Sequence, residues 1–176
     1  MQGESAPHTA PPPSEGNVVP RTTQGSMDGA GLNIAIAVSR FTQDLTTRLL
    51  EGALQVARDA GVPDWAIHVV HVPGAYELPM VAEELAATGS YDAIACLGCV
   101  IRGETAHFDY VAGESARGIA DVARLHGLPV TLGIITANNR AQAEARAGGA
   151  KTNMGSDAMR AAIEMANLYR KLRAIE

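Results

Sequence analysis

Aromatic residues are scarce in this chain, and it contains no long apolar run. Phenylalanine, tyrosine and tryptophan make up 4% of its 176 residues, whereas apolar residues together make up 47%. The core is therefore expected to be aliphatic and rich in alanine. No apolar run approaches the roughly 20 residues that a membrane helix needs, and no basic segment followed by an apolar one marks a secretory signal. We expect a cytoplasmic protein with no membrane partner.

Positive charge is also in short supply. The chain has 14 lysines and arginines against 19 aspartates and glutamates, which gives a formal net charge of −5 at pH 7. A negative overall field argues against nucleic acid and anionic membranes as main partners. An anionic substrate would therefore need a local positive group.

The chain has two cysteines, Cys96 and Cys99. Redox CxxC pairs lie at a helix N-terminus, where the dipole lowers the thiol pKa. This pair lies inside a predicted strand, so we interpret both residues as small buried apolar side chains. His68 and His71 are three residues apart in another predicted strand and point to opposite faces. We therefore expect no metal site.

The chain divides into a tail and one folded domain. Residues 1–30 hold five of the nine prolines and little apolar surface, which predicts a disordered or extended tail. Within it, Asn17–Val19 is a short apolar stretch suited to pairing as an edge strand where a partner offers one. Residues 31–176 have the length of a single ordinary domain.

Apolar strands and amphipathic helices alternate regularly along that domain. Strands are predicted at 32–38, 66–72, 93–101 and 130–136. Helices are predicted at 45–60, at 78–87, from 108 until Gly127 closes the turn, at 140–147 and at 156–172. Continuous apolar strands that alternate with helices are typical of a parallel sheet covered on both faces. The pattern predicts a three-layer α/β/α sandwich with a four-stranded, flavodoxin-like parallel sheet.

The most informative segment runs from Gly98 to Asp109, where a strand enters a polar loop that opens onto a helix. Backbone N–H groups and the helix dipole converge at such a turn and favour an anion. The segment resembles a nucleotide-binding loop, but Glu104 stands where that loop needs lysine. The charge reversal argues against a nucleoside triphosphate and leaves a single small phosphate as the anion.

Three loops that follow strands carry candidate functional side chains, and ligands of such sheets bind at this edge. His107 is either an exposed surface histidine or a proton carrier, and we favour the second because imidazole titrates near neutral pH. Phe41 is either a core residue or a stacking surface in a polar loop. Glu77 and Asp109 are each either helix N-terminal acids or functional groups, with Asp109 a possible orienter of the His107 ring.

Four segments together resemble the signature segments of the lumazine synthase family. They are residues 72–79, 98–109, 146–149 and 161–167, and the resemblance extends over about residues 32–173. It implies condensation of 5-amino-6-ribitylaminouracil with 3,4-dihydroxy-2-butanone 4-phosphate, which yields 6,7-dimethyl-8-ribityllumazine, phosphate and water. It implies no metal and no organic cofactor.

The resemblance also implies a role for each candidate residue. The pyrimidine ring would stack on Phe41, and the ribityl chain and ring edge would meet Ala75, Tyr76 and Glu77. Backbone groups of Cys99, Val100 and Ile101 would line the ring pocket. The backbone N–H groups of Glu104 and Thr105 would hold the phosphate, with His107 as the proton carrier. Arg146 would reach the phosphate from the neighbouring subunit. From its position alone, Arg146 is equally well a cation that stabilises the C-terminal end of a helix.

Three positions depart from the usual family pattern. Thr42 stands in place of asparagine, Leu132 in place of an aromatic ring that flanks the pyrimidine, and Met154 in place of a lysine near the phosphate. We expect a weaker KM and a retained reaction, because Phe41, His107 and Arg146 are all present. The alternative is a non-catalytic homologue that binds flavin or lumazine, or that forms a shell.

The resemblance further implies a homo-oligomer. Members of the family form pentamers, and those that close twelve pentamers into an icosahedral shell keep a short link between the last two helices. The corresponding link here, residues 148–153, is short. We expect a pentamer and an icosahedral assembly, with residues 17–19 adding a strand to a neighbour's sheet.

Overall fold

The computed structural model describes residues 20–175, so the expected edge strand at 17–19 lies outside it. Four strands form one parallel sheet in the order β2-β1-β3-β4. Their bounds are Ile34–Ser39 (β1), Ile67–Val72 (β2), Ala93–Ile101 (β3) and Val130–Ala137 (β4). The predicted four-stranded parallel sheet is confirmed.

Five α-helices connect and follow the strands. Their bounds are Gln43–Asp59 (α1), Leu78–Ala87 (α2), His107–His126 (α3), Arg140–Arg146 (α4) and Met154–Arg173 (α5). Each predicted helix forms, with ends within a few residues of the predicted ones. Gly127, in the left-handed conformation, ends α3 as its position in the sequence indicated.

The helices cover both faces of the sheet and produce the predicted three layers. On one face, α1, α4 and α5 pack against side chains such as Ile36 and Leu97. On the other face, α2 and α3 pack against Ala35 and Ile94. Strand β1, one of the two central strands, is buried along its whole length. The aliphatic core expected from the composition is present in both layers.

The two edge strands differ from the prediction of continuous burial. Strand β2 has one buried residue, Val72, and Leu132 in β4 is 46% exposed. Each edge strand has a neighbour on one side only, and the helices above and below leave part of it uncovered. An apolar run in the sequence indicates a strand, but it does not say whether that strand lies inside the sheet or at its edge.

Residues 24–31 lie alongside α5. The Asn167 side-chain amide donates to the carbonyl oxygens of Ser26 at 2.9 Å and Asp28 at 2.8 Å. Lys171 Nζ donates to the carbonyl of Gln24 at 2.9 Å. This part of the predicted tail has defined contacts with the domain.

Helices α1 and α5 approach closely at Gly155, the second residue of α5. A Cβ built on Gly155 would overlap the carbonyl oxygen of Leu49 and stand 2.6 Å from its carbonyl carbon. Asn153 caps α5 by accepting from the backbone N–H groups of Gly155 (2.9 Å) and Ser156 (3.1 Å). Its Nδ2 donates to the carbonyl of Arg48 at 2.8 Å. This crossing fixes the start of α5 and the end of the link that leads to it.

Among residues 20–175, no helix combines the length and the apolar character that crossing a membrane requires.

Candidate active site

The loops that follow β1, β2 and β3 enclose two adjoining hollows at the carboxyl edge of the sheet. Their volumes are about 320 and 290 Å³, and Phe41, Ala75, His107 and Val111 line both. Strands β1 and β3 are neighbours in the sheet although β2 separates them in sequence, so the chain leaves them in opposite directions. Ligands of doubly wound sheets bind at this switch point.

Nine of the twelve predicted site residues line these hollows. They are Phe41, Ala75, Tyr76, Glu77, Cys99, Val100, Ile101, Thr105 and His107. The fold thus brings residues from three separate loops to one place. Such a hollow, apolar with a few polar groups, is the usual form of a small-molecule site.

Phe41 is presented to solvent by the backbone of two parallel strands. Its N–H donates to the carbonyl of Pro73 at 3.0 Å, which extends the β1–β2 ladder beyond the strand ends. Its ring lies over Gly74, where an added Cβ would stand 2.7 Å from Phe41 Cδ2 and 3.0 Å from Glu77 Oε2. The side chain is 69% exposed, so the core interpretation is wrong and the ring is free to stack on a ligand.

Thr42 adopts a left-handed backbone conformation as it caps α1. It has φ 57° and ψ 45°, and no other non-glycine residue among residues 20–175 has a positive φ. The left-handed region costs an L-residue about 1–2 kcal/mol, and a β-branched side chain is poorly suited to it. Asparagine tolerates this conformation better than a β-branched residue, which agrees with the asparagine that the resemblance implies at this position.

Replacing Thr42 by asparagine is expected to raise the free energy of unfolding by about 1 kcal/mol, because the strain is relieved. For a chain of this size the melting temperature would rise by about 2–4 °C. Calorimetry at fixed protein concentration measures this. Thr47→Asn is the matched control, since Thr47 is exposed and helical within α1. If the melting temperature of the T42N variant is no higher than that of the T47N variant, the backbone of Thr42 is not strained.

The turn between β3 and α3 leaves several backbone N–H groups free. Within residues 20–175, the N–H groups of Gly103, Glu104, Thr105 and Ala106 donate no hydrogen bond. Thr105 Oγ1 accepts from the backbone N–H of His107 at 3.4 Å, which closes a tight turn at the start of α3. The positive end of this 20-residue helix faces the same turn. The arrangement suits a small anion beside an imidazole.

A scan against family models matches residues 31–170 to 6,7-dimethyl-8-ribityllumazine synthase. The match spans the whole sheet and every residue that lines the two hollows. The chain belongs to the lumazine synthase family. The family's enzymes act in riboflavin biosynthesis, and this confirms the resemblance found in the signature segments.

The hollows also contain residues that sequence reasoning missed. Tyr110 is 69% exposed and lines the first hollow, and Gly74 lies beneath the Phe41 ring. The signal for Tyr110 was present in the sequence, because His107, Tyr110 and Val111 share one helix face at i, i+3 and i+4. Both phenylalanines and two of the four tyrosines of this aromatic-poor chain line the two hollows.

Asp109 binds Arg102 and forms no hydrogen bond with His107 within the described residues. The guanidinium donates to the two carboxylate oxygens at 2.7 and 3.2 Å. This hydrogen bonding lowers the pKa of the Asp109 carboxyl below its ordinary value. Both groups are therefore charged at neutral pH, and the structure does not support Asp109 as an orienter of the imidazole.

The two cysteines lie on opposite faces of β3, Cys96 towards α2 and α3 and Cys99 towards α1 and α5. Both thiols are free and buried. Burial raises the pKa of Cys96 to about 12 and that of Cys99 to about 11. Neither is a thiolate at neutral pH, which agrees with their interpretation as apolar strand residues.

Three predicted site residues do not line the hollows of a single chain. Glu104 lies between Gly103 and Thr105, which do. Leu132 pairs with Cys96 near the middle of the sheet, away from its carboxyl edge. Arg146 Nη1 donates to the carbonyl of Gln142 on its own helix at 2.9 Å. Met154 packs partly buried against the core.

Among the described residues that line the hollows there is no lysine or arginine. Their ionisable side chains are Glu77, His107, Cys99, Tyr76 and Tyr110. Within residues 20–175, no group of three or more histidine, cysteine, aspartate or glutamate side chains is arranged to hold a metal ion. A phosphate bound here would meet backbone N–H groups and a helix dipole, but no full positive charge from the described residues that line the hollows.

Proposed function

We propose that this chain condenses 5-amino-6-ribitylaminouracil with 3,4-dihydroxy-2-butanone 4-phosphate. The products are 6,7-dimethyl-8-ribityllumazine, inorganic phosphate and water. The observation that carries the proposal is the juxtaposition, around one pair of hollows, of an exposed aromatic ring, an imidazole and a turn with free N–H groups. Each of the two substrates has a complementary surface there.

The pyrimidine is proposed to stack on Phe41 and to meet the backbone of Cys99, Val100 and Ile101. A flat heterocycle matches the exposed face of a phenyl ring, and such pairs gain about 0.5–1.5 kcal/mol beyond their buried area. The ribityl chain would extend along Ala75, Tyr76 and Glu77, where the carboxylate of Glu77 can accept hydrogen bonds from its hydroxyls. These residues line the hollow next to the phenyl ring.

The phosphate is proposed to bind the backbone N–H groups of Glu104 and Thr105. In this role the Glu104 side chain can point away, so the carboxylate that argued against a triphosphate does not prevent binding of one phosphate. Because no lysine or arginine lines the hollows, we assign the missing positive charge to Arg146 of a neighbouring copy. Leu132 likewise would reach a ligand only from another copy.

His107 is proposed to move protons during the reaction. The 5-amino group attacks the ketone carbon and water leaves as the imine forms. Removal of the proton on the hydroxyl-bearing carbon expels phosphate and gives an enol, which takes up a proton to become a ketone. The ribitylamino nitrogen then attacks that carbonyl, and loss of water closes the ring. One positioned imidazole next to a bound phosphate suits these steps.

The direct test is to mix purified full-length protein with both substrates and follow lumazine fluorescence. Turnover supports the proposed reaction. Tight binding of 6,7-dimethyl-8-ribityllumazine without turnover would instead establish the non-catalytic carrier, the alternative favoured by the departures at Leu132 and Met154. If the protein shows neither turnover nor lumazine binding, both the proposed reaction and the carrier alternative are rejected.

Arg146→Ala is expected to raise the KM for the phosphate substrate by about 10- to 150-fold, the equivalent of about 1.5–3 kcal/mol for a hydrogen bond to a charged group. The KM for the pyrimidine should change little, because the ring contacts other residues. Steady-state kinetics with each substrate varied in turn measure the two constants. Arg160→Ala, which removes an exposed arginine paired with Asp157 on α5, is the control. An unchanged phosphate-substrate KM would remove Arg146 from the site.

We also propose that the chain forms a pentamer and that twelve pentamers close into an icosahedral shell. The pentamer would supply Arg146 and Leu132 to adjacent sites, and residues 17–19 would add a strand to the neighbour's sheet. The proposal of a shell is based on the short link between α4 and α5. Light scattering together with the activity assay distinguishes a pentamer from a shell, and an active monomer would contradict both.

A further inference from the structure

Arg102 stands where β3 ends and the phosphate turn begins. Its backbone N–H donates to the carbonyl of Ala137 at 2.8 Å, which joins the first residue of the turn to the end of β4. Its side chain reaches over the turn to the first helical turn of α3. Arg102 is therefore anchored in the sheet at one end and in contact with α3 at the other.

The guanidinium of Arg102 has three partners among residues 20–175. It forms the two hydrogen bonds with the Asp109 carboxylate described above. Its Nε donates to Asn138 Oδ1 at 3.3 Å, and its Cζ lies 4.1 Å from the centre of the Phe108 ring. A planar, forked cation can make a paired contact with a carboxylate and stack on a ring at the same time, whereas lysine cannot.

These contacts give residues 103–106 the form of a closed loop. The chain enters it at Arg102 and leaves it in the first turn of α3, and the Arg102–Asp109 pair joins the two ends. The free N–H groups of Gly103 to Ala106 lie between them. Because Asp109 neutralises the guanidinium, the arginine nearest in sequence to the turn is not a free cation for a ligand.

We propose that Arg102 is a positioning residue that holds the phosphate-binding turn in its binding conformation through Asp109 and Phe108, without contacting the phosphate. The proposal rests on the proposed function of this turn as the phosphate site. Binding to a loop that is already ordered avoids the entropy cost of ordering it. We call the Arg102–Asp109 pair the clasp. Its side chains are 41% and 57% exposed, so it contributes little to the free energy of unfolding of the whole chain.

The variants Arg102→Gln, Asp109→Asn and their combination test the clasp in the full-length protein. Each single change should raise the KM for the phosphate substrate about 5-fold and leave the KM for the pyrimidine and the melting temperature nearly unchanged. The double variant should raise the KM for the phosphate substrate no more than either single variant does, because each single change already removes the same interaction. Arg102→Lys should resemble Arg102→Gln, since a lysine keeps the charge but loses the fork.

Hydrogen exchange without substrate gives a second readout that does not depend on the reaction. The backbone N–H groups of His107 and Asp109 donate to Thr105 Oγ1 and to the carbonyl of Ala106, so their protection reports whether the turn is closed. They should exchange about 5-fold faster in R102Q and in D109N than in the wild type. Arg124→Gln is the matched control, because Arg124 forms a comparable exposed pair with Asp121 further along α3. It should change neither the exchange of the turn nor either KM.

Several results would overturn the proposal. Unchanged exchange in both single variants would show that the pair does not hold the turn. A KM raised in R102Q but normal in R102K and D109N would show that Arg102 acts through its charge on the phosphate. If the effects of the two single changes on the KM for the phosphate substrate add up in the double variant, Arg102 and Asp109 act independently of each other. If the wild type makes no lumazine, the proposed function fails. The exchange experiment and titration with inorganic phosphate then still show whether the Arg102–Asp109 pair holds the turn.

Discussion

His107→Ala is expected to slow lumazine formation by about 10²- to 10⁴-fold, the usual contribution of a general acid–base group. The imidazole lies at the start of α3 and lines both hollows, beside the proposed phosphate turn and the Phe41 ring. It is the one histidine among their lining residues, so no neighbour in the same chain replaces it. Single-turnover fluorescence with saturating substrates measures the chemical steps, and binding of the product lumazine should be nearly unchanged.

The control for this experiment is His68→Ala. His68 lies near the amino end of β2, at the opposite edge of the sheet, and contacts Tyr91 at 2.6 Å. Its removal should leave the rate unaltered. Added imidazole should restore part of the rate of the His107→Ala variant, because a small base can enter the space that the side chain leaves. A variant that runs at the wild-type rate would show that His107 carries no proton.

Gly155→Ala is expected to lower the free energy of unfolding by about 1–3 kcal/mol, the usual cost of an overpacked interface. The new methyl group would overlap the Leu49 carbonyl, so it meets rigid helix backbone and not a flexible side chain. Helices α1 and α5 would have to separate, which also disturbs the hydrogen bond from Asn153 to Arg48. Chemical denaturation at fixed protein concentration measures the change.

The same substitution at Gly113 is the matched control. Gly113 lies inside α3, and a Cβ built on it meets nothing within 4 Å. Alanine there should raise stability by about 0.5–1 kcal/mol, because glycine in a helix interior is entropically costly. If both variants change stability in the same direction, the close approach of α1 and α5 is not what requires glycine at 155.

The fold was largely predictable because the relevant signals are local. Helical periodicity identified the five helices, and apolar runs identified the four strands. The alternation of the two implied a parallel sheet with helices on both faces. The burial of β2 and β4 was mispredicted, since an apolar run does not reveal how many neighbours a strand has in the sheet.

The candidate site was predictable in part. The sequence pointed to His107, Phe41 and the turn at 103–106, because each follows a strand at the binding edge. It did not reveal that Thr42 is left-handed, that Tyr110 faces the same hollow, or that Asp109 pairs with Arg102. Those features depend on how loops from separate strands meet, which no single segment encodes.

The sequence by itself determined the kinds and order of the elements, the family, and the residue types at the carboxyl edge, since periodicity, capping and motif spacing act over a few residues. The tertiary structure alone decided that β1 and β3 are neighbours, which brings Phe41 to His107 from far along the chain. It also decided that Arg146 and Leu132 lie outside the hollows of one chain. Strand order depends on long-range packing of the whole core, so it becomes visible only when the chain is folded.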